Sequence, residues 1–363
     1  MDVNQHKRTS GPETYVYYIA SFAALNSVNL GYDIGVNSGI GYHLQEGSLG
    51  LSDTDLEAFM GLFGAFSLVG ALSAHWLSDG FGRRGAFAGA SLSFIIGIVW
   101  TLGSSTLGWM LVGRCIMGIG VGLGLAIDPL YIAECSPAKY RGQLVTWSET
   151  ANNVGILLGF LAGLLTYTLP NDTAWRLMLG LGTVIPAVLL ALVAFVMPES
   201  PRWLLLRDRE AEARRVLRRC HGPGAHLDAV VAAVQDELAE AAAAAEGGDA
   251  GWCSSSSSTC QGLLCAPPPA VRRMLVAGVG TAVVQQLTGI EAIQYYLLFV
   301  LEASGIESRR DQFAFMLLIG AVKAGIIVVA GRLFDHPKVT ARRLGRGVQP
   351  GPVGARAQLL LRR

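Results

Sequence analysis

The sequence predicts an all-α membrane protein with about eight transmembrane helices. Hydrophobic residues make up 52% of the 363 residues and charged residues only 15%, against about 25% in typical soluble domains. Long stretches without a charge recur along the chain, and a membrane-spanning helix needs roughly 20 mostly apolar residues. Buried helices of soluble proteins rarely continue past about 14 residues without a charge. The net charge of +1 gives no basic field that would favour nucleic acid as a partner.

The apolar stretches define the predicted spans, six before a charged insert and two after it. They are rich in glycine, which lets helices approach one another closely within a lipid bilayer. The predicted spans cover residues 15–37, 57–78, 86–105, 108–132, 145–169, 175–197, 274–301 and 312–334.

Lys and Arg in the connecting segments predict that the N-terminus, residues 1–14, lies in the cytoplasm. Cytoplasmic loops of membrane proteins carry an excess of these residues. Arg83, Arg84 and Lys139 fall on the side that this orientation makes cytoplasmic, whereas the loop from 37 to 57 contains no Lys or Arg. The first fourteen residues lack the basic and apolar pattern of a cleaved signal peptide.

Charges of both signs return after the sixth predicted span. We therefore expect a six-helix half over residues 15–198, a cytoplasmic helical insert and linker over 199–273, and the first two helices of a second half over 274–335. The serine-rich segment 246–262 has the low complexity typical of a flexible linker.

Two opposite charges are predicted to lie at one depth in the membrane. Asp33 lies about 27 Å along the outward-running first span, and Arg114 lies about 9 Å into the inward-running fourth span, at 1.5 Å per residue. A pair between them would offset the desolvation of each charge, and neutralising the aspartate would open it. The pattern is compatible with proton exchange and equally with a static structural ion pair.

A polar patch marks the seventh predicted span. Gln285, Gln286 and Glu291 provide amides and a carboxylate, which suit a hydroxyl-rich ligand because they supply donors and strong acceptors. Hydrogen bonds between helices are the alternative role for such residues. We predict no metal, cofactor or catalytic site, since the sequence has no close cysteine pair, phosphate loop or nucleophile constellation.

Five motifs in order resemble the sugar porters of the major facilitator superfamily, most closely the plant-type polyol and monosaccharide proton symporters. Span 1 contains GYDIGVNSG, and SDGFGRR follows span 2. Span 4 contains VGRCIMGIGVG and continues into PLYIAECSPAKYRG, span 6 ends in PESPRWLL, and span 7 reads QQLTGIEAIQYY. The resemblance covers residues 15 to about 335 and implies the superfamily fold, with about eight of its usual twelve transmembrane helices.

The resemblance implies symport of a hexose or polyol with a proton through a central site that opens alternately to each side. It assigns proton coupling to Asp33 and Arg114, and substrate binding to Asn153, Gln285, Gln286 and Glu291. Glu291 stands where most relatives carry Asn and polyol transporters carry Asp, so the choice of substrate stays open. The implied location is the plasma membrane or an internal vacuolar or plastid membrane.

The same resemblance implies a network of salt bridges at the cytoplasmic ends of the spans, which holds the outward-open state closed on the cytoplasmic side. Positive-inside topology alone would explain its arginines but not its two acids. The residues assigned to this network are Arg83, Arg84, Glu134, Arg141, Glu199 and Arg202.

The chain departs from the family pattern after the eighth predicted span. Residues 336–363 contain seven Lys or Arg and no Asp or Glu, and we interpret them as a basic tail outside the family sequence. A basic tail that binds anionic lipid is the alternative interpretation. Two functions therefore stay open: a proton-coupled sugar or polyol transporter, and a shortened membrane protein that does not transport but acts as a sensor or as a partner of full-length transporters.

Overall fold

The computed structural model describes residues 14–136, 141–221, 228, 231–232, 234–236, 269–306 and 308–334. These residues form helices and short connections, with no strand among them, so the predicted all-α class is confirmed for this part of the chain. The predicted linker (246–262) and the basic tail (336–363) lie outside the described residues. So do residues 1–13 of the predicted N-terminal segment and residues 237–268 of the predicted insert.

Four long helices form the first part of the bundle: α1 (Thr14–Glu46), α2 (Asp53–Gly103), α3 (Leu107–Cys135) and α4 (Arg141–Thr166). Helix α1 continues nine residues beyond the predicted end at 37, because the loop predicted there is mostly helical. Ser52 begins α2 with a capping box, in which its hydroxyl accepts from the Asp55 amide and the Asp55 carboxylate accepts from the Ser52 amide.

Helix α2 contains both the second and the third predicted span. A break in the helix at Gly82 separates these two predicted spans, and it lies within their predicted connection at 79–85. Gly82 has φ 82° and ψ 171°, a conformation open to glycine but strained for other residues, and this single residue breaks α2. The two parts of α2 pack along α3, while α1 packs along α4.

The sixth predicted span is formed by two helices, α5 (Asn171–Leu181) and α6 (Val184–Phe195). The predicted insert begins with α7 (Pro201–Leu206) and α8 (Glu210–His221). Leu204, Leu205, Ala213, Leu217 and Val231 form a small apolar cluster there.

The seventh predicted span is broken, whereas the sequence predicts one continuous helix. It consists of α9 (Pro269–Leu287), α10 (Ile290–Tyr295) and α11 (Leu297–Ala303), with a left-handed Gly289 at the first interruption. Helix α12 (Arg309–Phe334) corresponds to the eighth span and packs against α4.

Four described helical segments are long and apolar enough to cross a membrane: Asp53–Gly103, Leu107–Cys135, Asn171–Phe195 and Arg309–Val329. The first of these contains two predicted spans. Helices α1 and α4 have 33 and 26 residues but are more polar, and several of the polar residues of α1 are buried inside the bundle. The count of eight spans stays a prediction.

Two apolar cores fill the bundle from end to end. The core near the Asn37 end of α1 includes Phe59, Trp175 and Phe313, and the core near its N-terminus includes Phe87 and Tyr131. Large apolar side chains also cover the outside of the bundle, as a lipid-facing surface requires. Examples are Leu68, Leu72, Trp76 and Phe195.

Candidate functional site

Asp33 and Arg114 form a buried ion pair between α1 and α3, as their predicted depths indicate. The Arg114 guanidinium donates to Asp33 Oδ1 at 2.8 Å, and the two side chains are 0% and 2% exposed. Asn37 completes the group, because its amide nitrogen donates to Asp33 Oδ2 at 2.8 Å and its amide oxygen accepts from Arg114 at 2.8 Å. We call these three residues the Arg114 cluster.

The walls of the Arg114 cluster are aromatic. The guanidinium carbon lies 4.4 Å from the Phe59 ring centroid and 4.7 Å from that of Phe63, and Arg114 Nε donates to the Phe59 carbonyl at 3.3 Å. Cation–π contacts of this kind strengthen when water is excluded. Both charged side chains of the cluster are therefore buried and hydrogen-bonded to a partner.

Sequence reasoning missed Asn37. Its position four residues after Asp33 places it on the same face of α1, where side chains three and four residues apart meet. That spacing could have identified it, because a buried carboxylate paired with one arginine still has lone pairs to satisfy.

The broken seventh span reaches the Arg114 cluster through its short middle helix. Tyr295 on α10 lies within electrostatic range of Asp33, Arg114 and Glu291. Just beyond, the Leu298 amide donates to the Ser38 hydroxyl of α1 at 2.8 Å. The interruption at Tyr296 leaves that amide available, so the break in the helix is what joins the seventh span to α1.

The predicted substrate residues of the seventh span lie together at the first interruption. Gln286 donates to Glu291 at 3.4 Å, a long hydrogen bond, while Gln285 is exposed at the end of α9. Lys323 on α12 and Glu149 on α4 also belong to this region, since Lys323 lies within electrostatic range of both Glu149 and Glu291. The structure thus brings charged and amide groups from three spans to one side of the bundle.

Asn153, the fourth predicted substrate residue, lies inside α4 rather than with the seventh span. It is 2% exposed, its amide nitrogen donates to the Glu149 carbonyl at 2.8 Å, and its amide oxygen has no partner among the described residues. It can offer one free acceptor to a ligand.

The predicted cytoplasmic network contains a two-point salt bridge. Arg83 donates to both carboxylate oxygens of Glu134, at 2.9 Å and 2.8 Å, and Ser200 donates its hydroxyl to the same carboxylate at 2.6 Å. These contacts join α2, α3 and the start of α7. Together with Arg84 and Glu199, these residues form what we call the Arg83 cluster.

Glu199 is held by backbone amides and not by the arginine side chains that the resemblance led us to expect. It accepts from the N–H groups of Arg83, Arg84 and Ser200, at 2.8 Å, 3.3 Å and 2.9 Å. The kink at Gly82 exposes the first two of these groups. Burial raises the pKa of the Glu199 carboxyl, and the three backbone hydrogen bonds partly offset that effect.

Arg84 also differs from its predicted role in a salt bridge. Its guanidinium donates to the carbonyls of Val193 and Ala194, at 2.8 Å and 3.1 Å, in the last turn of α6. Arg202 is half-buried on α7. The side chain of Arg141 lies outside the described residues, so its predicted place in the network stays a prediction.

The arrangement of helices matches solved transporter structures. XylE, a proton:xylose symporter bound to 6-bromo-6-deoxy-D-glucose, aligns with a TM-score of 0.74 and 25% identity over 89% of this chain and 70% of the symporter chain. A partially occluded inward-open form of XylE from E. coli aligns with a TM-score of 0.70 and 24% identity, over 89% of this chain and 74% of that chain. The fold is therefore that of the major facilitator superfamily.

The sequence comparisons identify the family within this superfamily. The family profile described as "Sugar (and other) transporter" matches residues 19–344, and this chain belongs to that family. The match includes the first residues of the segment that we interpreted as a tail outside the family. Hence the chain is a multi-pass integral membrane protein of the sugar transporter family, and the prediction of the family is confirmed.

Named relatives come from Arabidopsis thaliana. Putative polyol transporter 1 is 36% identical over 328 residues, which is 89% of this chain and 63% of the relative. Polyol transporter 5 is 34% identical, over 89% of this chain and 60% of the relative, and probable inositol transporter 2 is 34% identical, over 86% and 51%. The chain thus spans about 60% of the length of the polyol transporters it matches.

Proposed function

We propose that this protein takes part in transport of a monosaccharide or polyol across a membrane by proton symport with alternating access. The observation that carries the proposal is the Arg114 cluster, a buried acid–arginine pair in which the acid can be neutralised by one proton. Polyol and inositol transporters among the relatives, and a proton:xylose symporter among the solved structures, support the choice of substrate class and of the coupling ion.

Proton coupling follows from the electrostatics of the pair. When Asp33 is ionised, it holds Arg114 and Asn37 in one network between α1 and α3. A proton on Asp33 removes the charge that attracts the guanidinium, so the network weakens and Arg114 must find other partners. Through Tyr295 and Ser38 the change can reach the seventh span, where the predicted substrate residues lie.

Substrate binding is assigned to the polar region of the seventh span. Gln285, Gln286 and Glu291 can donate to and accept from the hydroxyl groups of a sugar or polyol, and the free amide oxygen of Asn153 adds an acceptor from α4. No covalent step is needed, because the substrate leaves chemically unchanged.

The Arg83 cluster provides the structural basis for the proposed gate. It ties the kink in α2 to α3 and to the entrance of α7, at the predicted cytoplasmic end of the bundle. Contacts of this number and geometry stabilise a closed end, and opening that end requires them to separate.

A membrane protein that does not itself transport is the second candidate function. It is favoured by one observation: almost the whole of α9, including both glutamines, is exposed in the described arrangement. Such a surface suits a partner transporter as well as it suits further helices of the same bundle. Uptake distinguishes the two functions.

The first experiment expresses residues 1–363 in cells that lack sugar uptake and measures accumulation of labelled hexose and polyol. Saturable accumulation that a protonophore abolishes supports symport. Saturable binding to the purified chain without accumulation supports the second candidate.

The second experiment tests coupling with Asp33→Asn. The amide cannot exchange a proton at working pH, so we expect uphill accumulation to be lost while exchange of labelled for unlabelled substrate persists. Asp311→Asn, a change at an exposed acid on α12, serves as the matched control and should behave as the parent. Undiminished uphill accumulation by Asp33→Asn would contradict the assignment of Asp33.

The third experiment tests the substrate site with Gln286→Ala. Loss of a partner for a ligand hydroxyl should weaken affinity by about 1–3 kcal/mol in a binding assay on the purified chain. Thr281→Ala is the control, because the Thr281 hydroxyl already donates to the Ala277 carbonyl of its own helix. Equal affinity of Gln286→Ala and the parent would assign Gln286 to helix contacts.

A further inference from the structure

A second acid is buried in the bundle, and the proposed coupling mechanism does not use it. Asp128 lies on α3 and is 1% exposed. Its Oδ2 accepts from the Ser27 hydroxyl of α1 at 2.7 Å, and its Oδ1 has no hydrogen-bond partner among the described residues. A carboxylate oxygen that is fully buried and unpartnered is rare in folded proteins.

The surroundings of Asp128 differ from those of Asp33 because they contain no cation. The groups that act on the Asp128 carboxyl are the side chain and backbone of Ser27 and the side-chain amide of Asn26, all from α1. The other helices packed against α3, which are α2, α4 and α7, present no charged group to it within the described residues. Helix α1 approaches closely here, since Asn26 fills the space that a side chain at position 124 would need.

Burial with no cation beside it favours the neutral acid, and the contacts with Ser27 and Asn26, which favour the carboxylate, offset this only in part. An isolated buried charge is costly, whereas a carboxylic acid needs only ordinary hydrogen bonds. The Ser27 hydroxyl donates to one oxygen, and a proton on Oδ1 would turn that unpartnered acceptor into a donor.

Asp128 lies between the Arg114 cluster and the Arg83 cluster. Its partner Ser27 precedes Asp33 by six residues on α1, and Asp128 precedes Glu134 by six residues on α3, which is about 9 Å in each case at 1.5 Å per residue. The acid is therefore closer to the predicted cytoplasmic end than Asp33 is, and water that enters from that end meets Asp128 first.

We propose that Asp128 is a second proton-binding carboxyl of this bundle, which holds its proton in the packed arrangement and exchanges it with water from the predicted cytoplasmic end. On uptake, a hydronium ion gives its proton to Oδ1, an O–H bond forms there, and a water molecule is left. Release is the reverse step and requires water at the carboxylate. The role of this site in transport rests on the proposed symport, but the binding of the proton does not.

The test is infrared spectroscopy of the full chain in lipid nanodiscs at neutral pH. A protonated carboxyl has a C=O stretch separate from that of a carboxylate, so we expect a band in the parent that Asp128→Asn removes. Asp311→Asn, which alters an exposed acid, should leave the band unchanged. In Ser27→Ala the band should persist and move to higher frequency, because the carboxyl loses a hydrogen bond.

Two outcomes overturn the proposal. One is a parent spectrum in which Asp128→Asn removes no protonated-carboxyl band. The other, which applies even if Asp128→Asn fails to fold, is a band whose position Ser27→Ala does not change. Either result leaves the symport assignment intact, since that assignment is tested separately, by whether Asp33→Asn loses uphill uptake. Conversely, if Asp33→Asn accumulates substrate normally, the symport assignment fails. A protonated-carboxyl band that Asp128→Asn removes would still show that Asp128 binds a proton.

Discussion

The Arg114 cluster and the Arg83 cluster both pair arginine with a carboxylate, but they satisfy their charges in different ways. In the Arg114 cluster the acid accepts only from side chains, those of Arg114 and Asn37. In the Arg83 cluster Glu199 accepts from backbone amides, and Arg84 donates to backbone carbonyls of α6.

The difference follows from where helices leave backbone groups free. Within a helix each N–H is bonded to a carbonyl four residues earlier, so an acid at mid-membrane must accept from another side chain. The first four N–H groups and the last four carbonyls of a helix have no such partner. The kink at Gly82 and the end of α6 supply free groups of both kinds, and the helix dipole favours an acid at the first and an arginine at the second.

The largest expected effect is on the Arg114 cluster. Arg114→Gln removes the cation beside a buried carboxylate, which should lower the free energy of unfolding by about 3–5 kcal/mol. Thermal unfolding of the purified protein in detergent measures the change.

The double variant Asp33→Asn with Arg114→Gln provides the control for this prediction. With no charge left to bury, it should regain a large part of the lost stability. A double variant that is less stable than Arg114→Gln alone would show that the cluster is not held together by its charges.

The second prediction tests how much the kink at Gly82 contributes to stability. Gly82→Ala places a methyl group in a left-handed backbone conformation, where it would clash with the Glu199 carboxylate. Such backbone strain costs about 1–3 kcal/mol, and the same unfolding assay should detect it.

Gly80→Ala is the matched control for Gly82→Ala. It lies two residues earlier in α2, and a methyl group there would meet no atom within 4 Å. If both substitutions have equal effects, the close fit between Gly82 and Glu199 does not determine the stability of this end.

The smallest effect concerns pH and the Arg83 cluster. Because burial raises the pKa of Glu199, the folded protein binds that proton more tightly than the unfolded chain does. Its contribution to stability is therefore present below the ordinary pKa of glutamate and is lost as the pH rises through the higher folded value. Glu199→Gln should flatten this part of the decline in unfolding temperature in the pH range just above the ordinary pKa of glutamate.

Glu212→Gln is the control for the pH experiment, since Glu212 is paired with Arg209 on the exposed face of α8. It should leave the slope in that range unchanged. A slope that Glu199→Gln does not alter would mean that the protonation of Glu199 does not change on unfolding.

Much of the fold follows from the sequence because the membrane restricts the possibilities. A long apolar stretch has to be helical in lipid, so the class of fold and the approximate span positions could be predicted. The depth argument also predicted contact between Asp33 and Arg114, since one rise per residue converts sequence position into depth. The interruptions of the seventh span were missed, because apolarity does not distinguish a broken span from a continuous one.

The sequence by itself determined the helical membrane class, the family and the presence of polar residues within the spans. Only the tertiary structure decided which of these polar residues meet: Asn37 with Asp33 and Arg114, Glu199 with backbone amides, and Asp128 with Ser27. The physical reason is that hydrophobicity and helical rise are properties of a local stretch of chain. Partner choice depends on which faces of two packed helices come within about 3 Å of each other, and on which backbone groups their ends leave free.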